Sequence, residues 1–290
     1  MSTTSLRILV ALDGTPASET ILAALMPLAR STPLDLTLFN VASGPDLVGN
    51  SRSYLGRMQG ALALHRISTS VETKTGEPGP EIIARLQSGE FAFGAMTTHG
   101  RQGLDRLLMG SVAETVVRTS ETPLFINRPD ARIGDWKKIL VPLDGSPLAE
   151  EILEDVEPLA RTSGATLHVV HVAETFVAAA AMEIAYSAVA LPDMKPYLEI
   201  IRKRLAGTGL NVETEALIGP PAPSIVRHAA DIGAGLIALT THGRSGLRRV
   251  IMGSVAEQIF RTAPCPILVR PIRKRSSAFS GALAENSASR

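Results

Sequence analysis

Two segments that lie 143 residues apart are nearly identical, and this internal duplication constrains the fold more than any other feature of the sequence. TTHGRQGLDRLLMGSVAE begins at Thr97 and TTHGRSGLRRVIMGSVAE begins at Thr240, with fourteen of the eighteen positions identical. ILVALDGTP at Ile8 likewise returns as ILVPLDGSP at Ile139, at an offset of 131 residues. A period of this size is that of a whole domain, so we predict a tandem duplication rather than a solenoid.

The repeats also predict where the domains begin and end. We place the first domain at residues 1–130 and the second at 131–275, followed by a small, polar tail at 276–290 that we expect to be disordered. NRPDARIGDW, residues 127–136, is the predicted linker. The offset rises from 131 to 143 between Val172 and Gly219, so the second copy carries an insertion there, with an alanine-rich helix.

Each copy alternates short apolar runs with amphipathic helical patterns. RILVAL and LDLTLFNV are typical of buried strands, whereas SETILAALMPLAR has apolar residues at helical spacing. The complete order predicts five strands per copy, joined by right-handed crossovers. The predicted fold class is therefore α/β: two tandem Rossmann-like domains, each a five-stranded, mostly parallel sheet with helices on both faces, related by a pseudo-two-fold axis.

The last strand of each copy is apolar and bears on how the copies associate. PLFINRP and PILVRP would each leave an exposed edge if the two copies stayed apart. We therefore predict that the copies pack face to face within the chain. Whether two chains also form a homodimer stays open.

Composition excludes several classes of partner. The formal net charge is +1, which provides no bulk attraction for nucleic acid or for an anionic membrane. No apolar run reaches the roughly 18 residues of a membrane-spanning helix, and the N-terminal residues lack the layout of a signal peptide. Cys265 is the one cysteine, so no intrachain disulfide can form, and we expect this thiol to be buried. We predict a cytoplasmic protein.

The glycine-rich repeat lies where α/β proteins bind ligands. In an open parallel sheet, ligands bind beyond the carboxyl ends of the strands, where the strand order reverses. Asp13 and Asp144 follow the first strands, and the glycine-rich segments follow the fourth strands. Ser111 and Ser254 stand at helix starts, where serine is a favourable N-cap. The same helix starts offer free N–H groups and a positive dipole end to an anion.

A helix start alone cannot hold a nucleotide. One helix dipole contributes about 0.3–1 kcal/mol, whereas micromolar binding requires about 8 kcal/mol. Loop amides, a base pocket and nearby arginines would have to contribute as well, and the candidates are Arg101, Arg106, Arg244, Arg248 and Arg249. The alternative is a tight, ligand-free connection in which Asp13 and Asp144 cap the following helices. Spacing alone leaves both interpretations open, and the chain contains neither a Walker loop nor a GxGxxG fingerprint.

The combination ILVALDGTP, TTHGRQGLDRLLMGSVAE and PLFINRP resembles the universal stress protein family. Because it occurs twice, the resemblance covers nearly all of residues 5–272. ATP-binding members of the family carry a loop of the form Gly, two residues, Gly, nine residues, Gly-Ser/Thr. Both copies have the second and third parts of this loop, but Thr97 and Thr240 replace its first glycine. Threonine is costly there if the position requires a positive φ, and acceptable at an ordinary strand end.

The resemblance implies that each domain binds ATP, with or without Mg²⁺. An aspartate and a valine backbone would hold the adenosine end, and the loop and helix start would line the phosphates. The implied residues of the first site are Ala11, Leu12, Asp13, Val41, Met96, Thr97, His99, Gly100, Gly110, Ser111 and Val112. Those of the second site are Pro142, Leu143, Asp144, Val172, Leu239, Thr240, His242, Gly243, Gly253, Ser254 and Val255. Ala11 and Pro142 differ, so equal binding by the two sites is not assumed.

The remaining histidines do not predict a metal site. His168 and His171 are three residues apart on a strand, so they lie on opposite faces and cannot share an ion. His65 and His228 are isolated in the sequence, and we expect them at the surface. No residue pattern places a nucleophile beside a base, so no catalytic residue is predicted.

Three functions are compatible with these features. The first is a stress-response protein that binds adenine nucleotide and acts as a regulator rather than as a metabolic enzyme. The second is a slow ATPase or phosphotransferase, which would need an oriented nucleophile that the sequence does not reveal. The third is a ligand-free interaction module.

Overall fold

A computed structural model of the chain describes residues 5–98, 109–173, 194–241 and 252–271. The alanine-rich segment predicted around 177–181 and the predicted tail at 276–290 lie outside these ranges.

The first half alternates strands and helices in the predicted order. Its strands are β1 (Leu6–Ala11), β2 (Leu34–Ala42), β3 (Ser68–Thr75), β4 (Phe93–Thr97) and β5 (Leu124–Asn127). Its helices are α1 (Pro16–Ala29), α2 (Val48–Ala63), α3 (Pro78–Leu86) and α4 (Ser111–Thr119), with a 3-10 turn at Pro45–Leu47. The helices α1 and α3 begin with proline, whose fixed φ suits the first helical turn.

The second half repeats this order. Its strands are β6 (Lys138–Pro142), β7 (Thr166–Ala173), β8 (Asn211–Ile218), β9 (Leu236–Thr240) and β10 (Ile267–Arg270). Its helices are α5 (Pro147–Glu150), α6 (Leu153–Ser163), α7 (Lys195–Ala206), α8 (Pro221–Asp231) and α9 (Ser254–Thr262). The short α5 and the longer α6 together occupy the chain position of the continuous α1.

The ten strands form one sheet in the order β3-β2-β1-β4-β5-β10-β9-β6-β7-β8. Neighbouring strands are parallel within each half, which confirms the predicted α/β class. The strand order reverses between β1 and β4 in the first half and between β6 and β9 in the second. These two points are the crevices where an open α/β sheet binds ligands.

The two halves meet through their last strands. β5 and β10 are antiparallel, and the central pair of the ladder is Leu268 with Phe125. The expectation of a face-to-face arrangement is therefore wrong, because the sheets are joined edge to edge. Each last strand on its own would leave N–H and C=O groups without partners at the edge of its sheet. In the structure, these groups bind the equivalent strand of the other half.

Helices cover both faces of the continuous sheet, and each face has its own core. Ile8 and Val10 of β1 belong to one core, whereas Leu9 belongs to the other, as the alternation of a strand requires. Each core contains residues of both halves. Near the junction, the Phe125 ring lies 4.9 Å from Phe93 and 5.2 Å from Trp136 of the linker. This linker tryptophan is 3% exposed, so it is part of the core that joins the halves.

Candidate functional site

The strand-order reversal brings several of the predicted site residues together in each half. β1 and β4 are neighbours with Val10 opposite Ala95, so the segments that follow both strands emerge at the same edge of the sheet. Leu12 and Asp13 follow β1, while Met96 and Thr97 end β4. The second half places Leu143, Asp144, Leu239 and Thr240 in the equivalent positions on β6 and β9.

The aspartate after each first strand is held by the residue that caps the next helix. Asp13 Oδ1 accepts hydrogen bonds from Thr15 N at 2.9 Å and from Thr15 Oγ1 at 2.6 Å. Thr15 Oγ1 in turn accepts from Ser18 N, so Thr15 is the N-cap of α1. Gly14 between them has φ 88°, a conformation that favours glycine. The alternative that Asp13 itself caps the helix is therefore wrong.

The second half builds the same turn with a serine. Asp144 Oδ1 accepts from Ser146 N at 2.9 Å and from Ser146 Oγ at 2.6 Å. Ser146 Oγ accepts from Ala149 N at 3.1 Å and caps α5. In both halves one carboxylate oxygen is thus engaged within the turn, which orients the aspartate side chain.

The helix start that follows the glycine-rich segment is tied to the end of β4. Gly110 N donates to Thr98 O at 2.6 Å, and Glu114 N donates to Gly110 O at 2.9 Å. Gly110 is therefore the N-cap of α4, with φ −61° and ψ 147°. The prediction that Ser111 and Ser254 are the N-caps is wrong, since each is already the first residue of its helix.

Among the described residues, α4 begins at an N-cap, Gly110, that makes no side-chain capping bond. The first N–H groups of a helix have no acceptor within the helix, so the amides of Ser111, Val112 and Ala113 are the groups that the start of α4 offers to an anion. α9 has the same construction, with Gly253 at φ −61° and ψ 144° as an N-cap that makes no side-chain capping bond. Gly253 N donates to Thr241 O at 2.9 Å. Val255 occupies the position in α9 that Val112 occupies in α4.

Threonine is unstrained in place of the first loop glycine. Thr97 and Thr240 are the last residues of β4 and β9, and they are 6% and 8% exposed. Among the described residues, Arg66 is the one non-glycine residue with a positive φ. Both threonines therefore occupy ordinary strand ends, where a β-branched side chain is favourable.

Four predicted site residues, His99, Gly100, His242 and Gly243, lie outside the described residues, as do the five arginines of the two loops. Val41 and Val172 lie near the ends of β2 and β7 and are partly buried.

The two crevices differ where Ala11 is replaced by Pro142. The ladder between β1 and β4 has three residue pairs, whereas that between β6 and β9 has two and stops at Leu140. Proline has no N–H to donate to a neighbouring strand, which accounts for the shorter ladder. The strand ends of the second site are therefore less tightly joined than those of the first.

The sequence interpretation missed residues that hold the strand ends in place. Asn40 Nδ2 donates to Leu12 O at 2.6 Å, and the His171 Nδ1 lies 2.8 Å from Leu143 O. Thr15, Ser146, Thr98 and Thr241 were missed as well. The sequence carries a signal for four of them, because a hydroxyl residue recurs at Thr15 and Ser146 and at Thr98 and Thr241. Asn40 and His171 differ in chemistry, so the sequence carries no such signal for them.

A tyrosine lies near the aspartate of each half. Burial raises the pKa of Tyr54 to about 12, and the negative charges of Glu19 and Asp13 act in the same direction. Burial also raises the pKa of Tyr197, whose hydroxyl donates to Glu150 at 3.1 Å. Both phenols therefore stay protonated near neutral pH and contribute no negative charge to the crevices.

Other sequence expectations concern residues away from the crevices. Cys265 is 2% exposed and burial raises the pKa of its thiol to about 12, which makes it unreactive. Across the described ranges, no group of three or more His, Cys, Asp or Glu side chains is arranged to hold a metal ion. Within those same ranges, none of the helices combines the length and the apolar character needed to cross a membrane.

Comparison with known proteins identifies the family. The model of the universal stress protein family matches residues 5–128 and again 135–271. A universal stress protein of Methanocaldococcus jannaschii is 33% identical over 139 residues, covering 46% of this chain and 81% of the relative. One from Mycobacterium tuberculosis is 28% identical over 212 residues, covering 70% of this chain and 69% of the relative.

A solved structure supports the fold over the whole length. The crystal structure of a universal stress protein from Archaeoglobus fulgidus superposes with a TM-score of 0.72 at 21% identity, covering 91% of this chain and 98% of that one. With the family model matched in both halves, the chain belongs to the universal stress protein family.

Proposed function

We propose that this protein binds ATP at both crevices and acts as a nucleotide-responsive regulator in the stress response. The observation that carries the proposal is the pair of helix starts, α4 and α9, that make no side-chain capping bond. Each is tied by a backbone hydrogen bond to a strand next to the aspartate turn. An anion-binding terminus beside a carboxylate that can accept from a ribose hydroxyl suits a nucleotide better than a simple anion.

Each part of the nucleotide has a proposed partner. The first-turn amides of Ser111 and Val112 would hold the phosphates, and Asp13 with the Val41 backbone would hold the adenosine end. Ser254, Val255, Asp144 and Val172 would serve in the second half. Mg²⁺, where present, would be held chiefly by the phosphates, because no metal-ligand cluster exists among the described residues.

An N-cap substitution tests this site without weakening the fold. Gly110 has the extended conformation in which aspartate caps a helix, so Gly110→Asp should place a carboxylate on the first-turn amides and slightly stabilise α4. The same carboxylate would repel phosphate. Calorimetric titration should find two ATP sites in the wild-type chain, one in Gly110→Asp, one in Gly253→Asp and none in the double variant.

Gly110→Ala is the matched control, because alanine also tolerates this conformation but brings no charge. It should keep both sites. Thermal unfolding gives a second measurement, since ATP at 100 times its dissociation constant should stabilise the folded chain by about 2.7 kcal/mol. Absence of any stabilisation by millimolar ATP would contradict the proposal and favour a ligand-free interaction module. cAMP, which lacks the β- and γ-phosphates, should bind more weakly than ATP if the helix start holds the polyphosphate.

A further inference from the structure

In each half, the carbonyl group of the residue that follows the first strand contacts a side chain instead of a backbone N–H of the neighbouring strand. Leu12 N continues the ladder and donates to Phe39 O at 2.9 Å, but Leu12 O accepts from the Asn40 side chain at 2.6 Å. In the second half, Leu143 N donates to Val170 O at 2.8 Å, and Leu143 O lies 2.8 Å from His171 Nδ1. A carbonyl oxygen can only accept, so His171 Nδ1 carries a hydrogen.

This arrangement changes which backbone groups remain available. Along a strand, alternate residues direct their N–H and C=O groups toward the same neighbouring strand. Phe39 O faces β1, so the N–H and C=O of Val41 face the same side, past the point where β1 ends at Ala11. In a continued parallel ladder, the Val41 amide would donate to Leu12 O. The side-chain amide of Asn40 takes that position, so Leu12 O no longer requires the Val41 N–H.

The two halves reach this result with different side chains. Asn40 and His171 occupy equivalent positions at the offset of 131 residues, and they are 4% and 5% exposed. An amide and an imidazole share little in shape, but each presents an N–H to the equivalent carbonyl of its own half. The donated hydrogen bond, rather than the volume of the side chain, is therefore what the two positions have in common.

We propose that Asn40 and His171 are positioning residues for base recognition. Each holds the carbonyl that leads into the aspartate turn and leaves the backbone N–H and C=O of Val41 or Val172 to bind the edge of the base. This inference rests on the proposed nucleotide function. A strand residue whose N–H and C=O point to the same side complements the N1 acceptor and the N6 donor of adenine. It opposes guanine, whose N1–H and O6 have the reverse polarity, so the position selects adenine over guanine.

Substitutions that change the hydrogen bond and the shape separately test the inference. Asn40→Asp replaces the donor by an acceptor that faces Leu12 O, whereas Asn40→His introduces the donor that the second half uses. In a Gly253→Asp background, which isolates the first site, Asn40→Asp should weaken ATP binding about tenfold or more and reduce the preference for ATP over GTP. Asn40→His should stay within about threefold of the parent. His171→Asn in a Gly110→Asp background is the reciprocal exchange and should also retain binding.

Amide hydrogen exchange in the absence of nucleotide gives an independent measurement. Asn40→Leu removes the side-chain donor, so the Val41 amide should close the ladder to Leu12 O and exchange about five to ten times more slowly than in the wild-type chain. The inference is overturned if Asn40→Asp binds ATP and GTP like the parent, if Asn40→His loses as much affinity as Asn40→Asp, or if Val41 exchange is unchanged. A wild-type chain that binds no ATP would instead refute the proposed function on which the inference rests.

Discussion

The outer strands of the two halves carry different side chains at equivalent positions. In the first half, Thr37 Oγ1 and Ser70 Oγ face each other across β2 and β3 at 3.1 Å. In the second half, His168 Nδ1 and Glu213 Oε2 face each other across β7 and β8 at 3.3 Å. A pair of neutral hydroxyls is thus replaced by an imidazole and a carboxylate.

A second pair of equivalent positions, on α3 and α8, carries an arginine in the first half and a histidine in the second. Arg85 of α3 binds both carboxylate oxygens of Glu72 at 2.7 and 2.9 Å. The equivalent His228 of α8 lies 3.8 Å from Glu215 and its side chain is 12% exposed. The expectation that His228 is an isolated surface residue is therefore wrong. The duplicated backbone positions are thus retained, while the second half carries histidines where the first half carries a threonine and an arginine.

The largest effect is expected at the ends of the last strands. Asn127 donates to Thr20 at 3.0 Å, whereas the equivalent Arg270 donates to both oxygens of Asp155 at 2.6 and 2.9 Å. The Arg270 and Asp155 side chains are 8% and 10% exposed. Asp155→Ala leaves a buried guanidinium with the exposed Glu154 as its remaining partner, and urea unfolding should show a loss of about 3 kcal/mol.

The first half supplies the control for this pair. It carries Ala24 and Asn127 at the positions of Asp155 and Arg270. The double variant Asp155→Ala/Arg270→Asn removes the guanidinium that has lost its buried partner and should recover most of the lost free energy of unfolding. A double variant as unstable as the single one would show that the charge pair is not the cause.

A somewhat smaller loss of stability is expected at Gly235, where the linker backbone packs against the second half. Gly235 precedes β9, and a methyl group there would lie 1.7 Å from Asp135 O. The equivalent residue before β4 is already an alanine, the exposed Ala92. Gly235→Ala should force the linker backbone to move and lower the free energy of unfolding by about 2–3 kcal/mol in urea. Ala92→Gly, the matched control, should change it by less than about 1 kcal/mol.

The smallest effect is a pH dependence confined to the second half. Burial lowers the pKa of His168 below its ordinary value of 6.5, assisted by Lys138 of β6 and His228 of α8, while Glu213 and Glu215 of β8 oppose the shift. The unfolded chain therefore binds this proton more readily than the folded chain. The contribution of neutral His168 to stability is present above pH 6.5 and is lost as the pH falls through its lower, folded-state pKa.

Exchanging side chains between the halves tests this assignment. His168→Thr/Glu213→Ser installs the hydroxyl pair of the first half and should reduce the loss of stability between pH 7.5 and pH 5. Hydrogen exchange should locate the wild-type loss in β7 and β8, and not in β2 and β3. An equal loss in both halves would contradict the comparison.

Much of the fold could be predicted because the duplication provides two independent sequence patterns for each strand and helix. The alternation of Ile8, Leu9 and Val10 between two cores follows from strand geometry, and the DG dipeptide predicts the turn at Gly14, where φ is 88°. The N-cap of α4 was predicted one residue too late, at Ser111 instead of Gly110. The start of this helix depends on the hydrogen bond from Gly110 N to Thr98 O, and local sequence preferences do not predict a contact between these two residues.

The amino-acid sequence by itself determined that the chain contains two α/β units of one family, because strand and helix periodicity and turn chemistry are local properties that recur at each copy. Tertiary structure alone decided that β5 and β10 join the units edge to edge, since backbone pairing between distant strands leaves no local pattern. It also decided that Asn40 and His171 contact equivalent carbonyls, Leu12 O and Leu143 O. An amide and an imidazole share this role because the sheet places each of them beside the carbonyl that follows the first strand of its half.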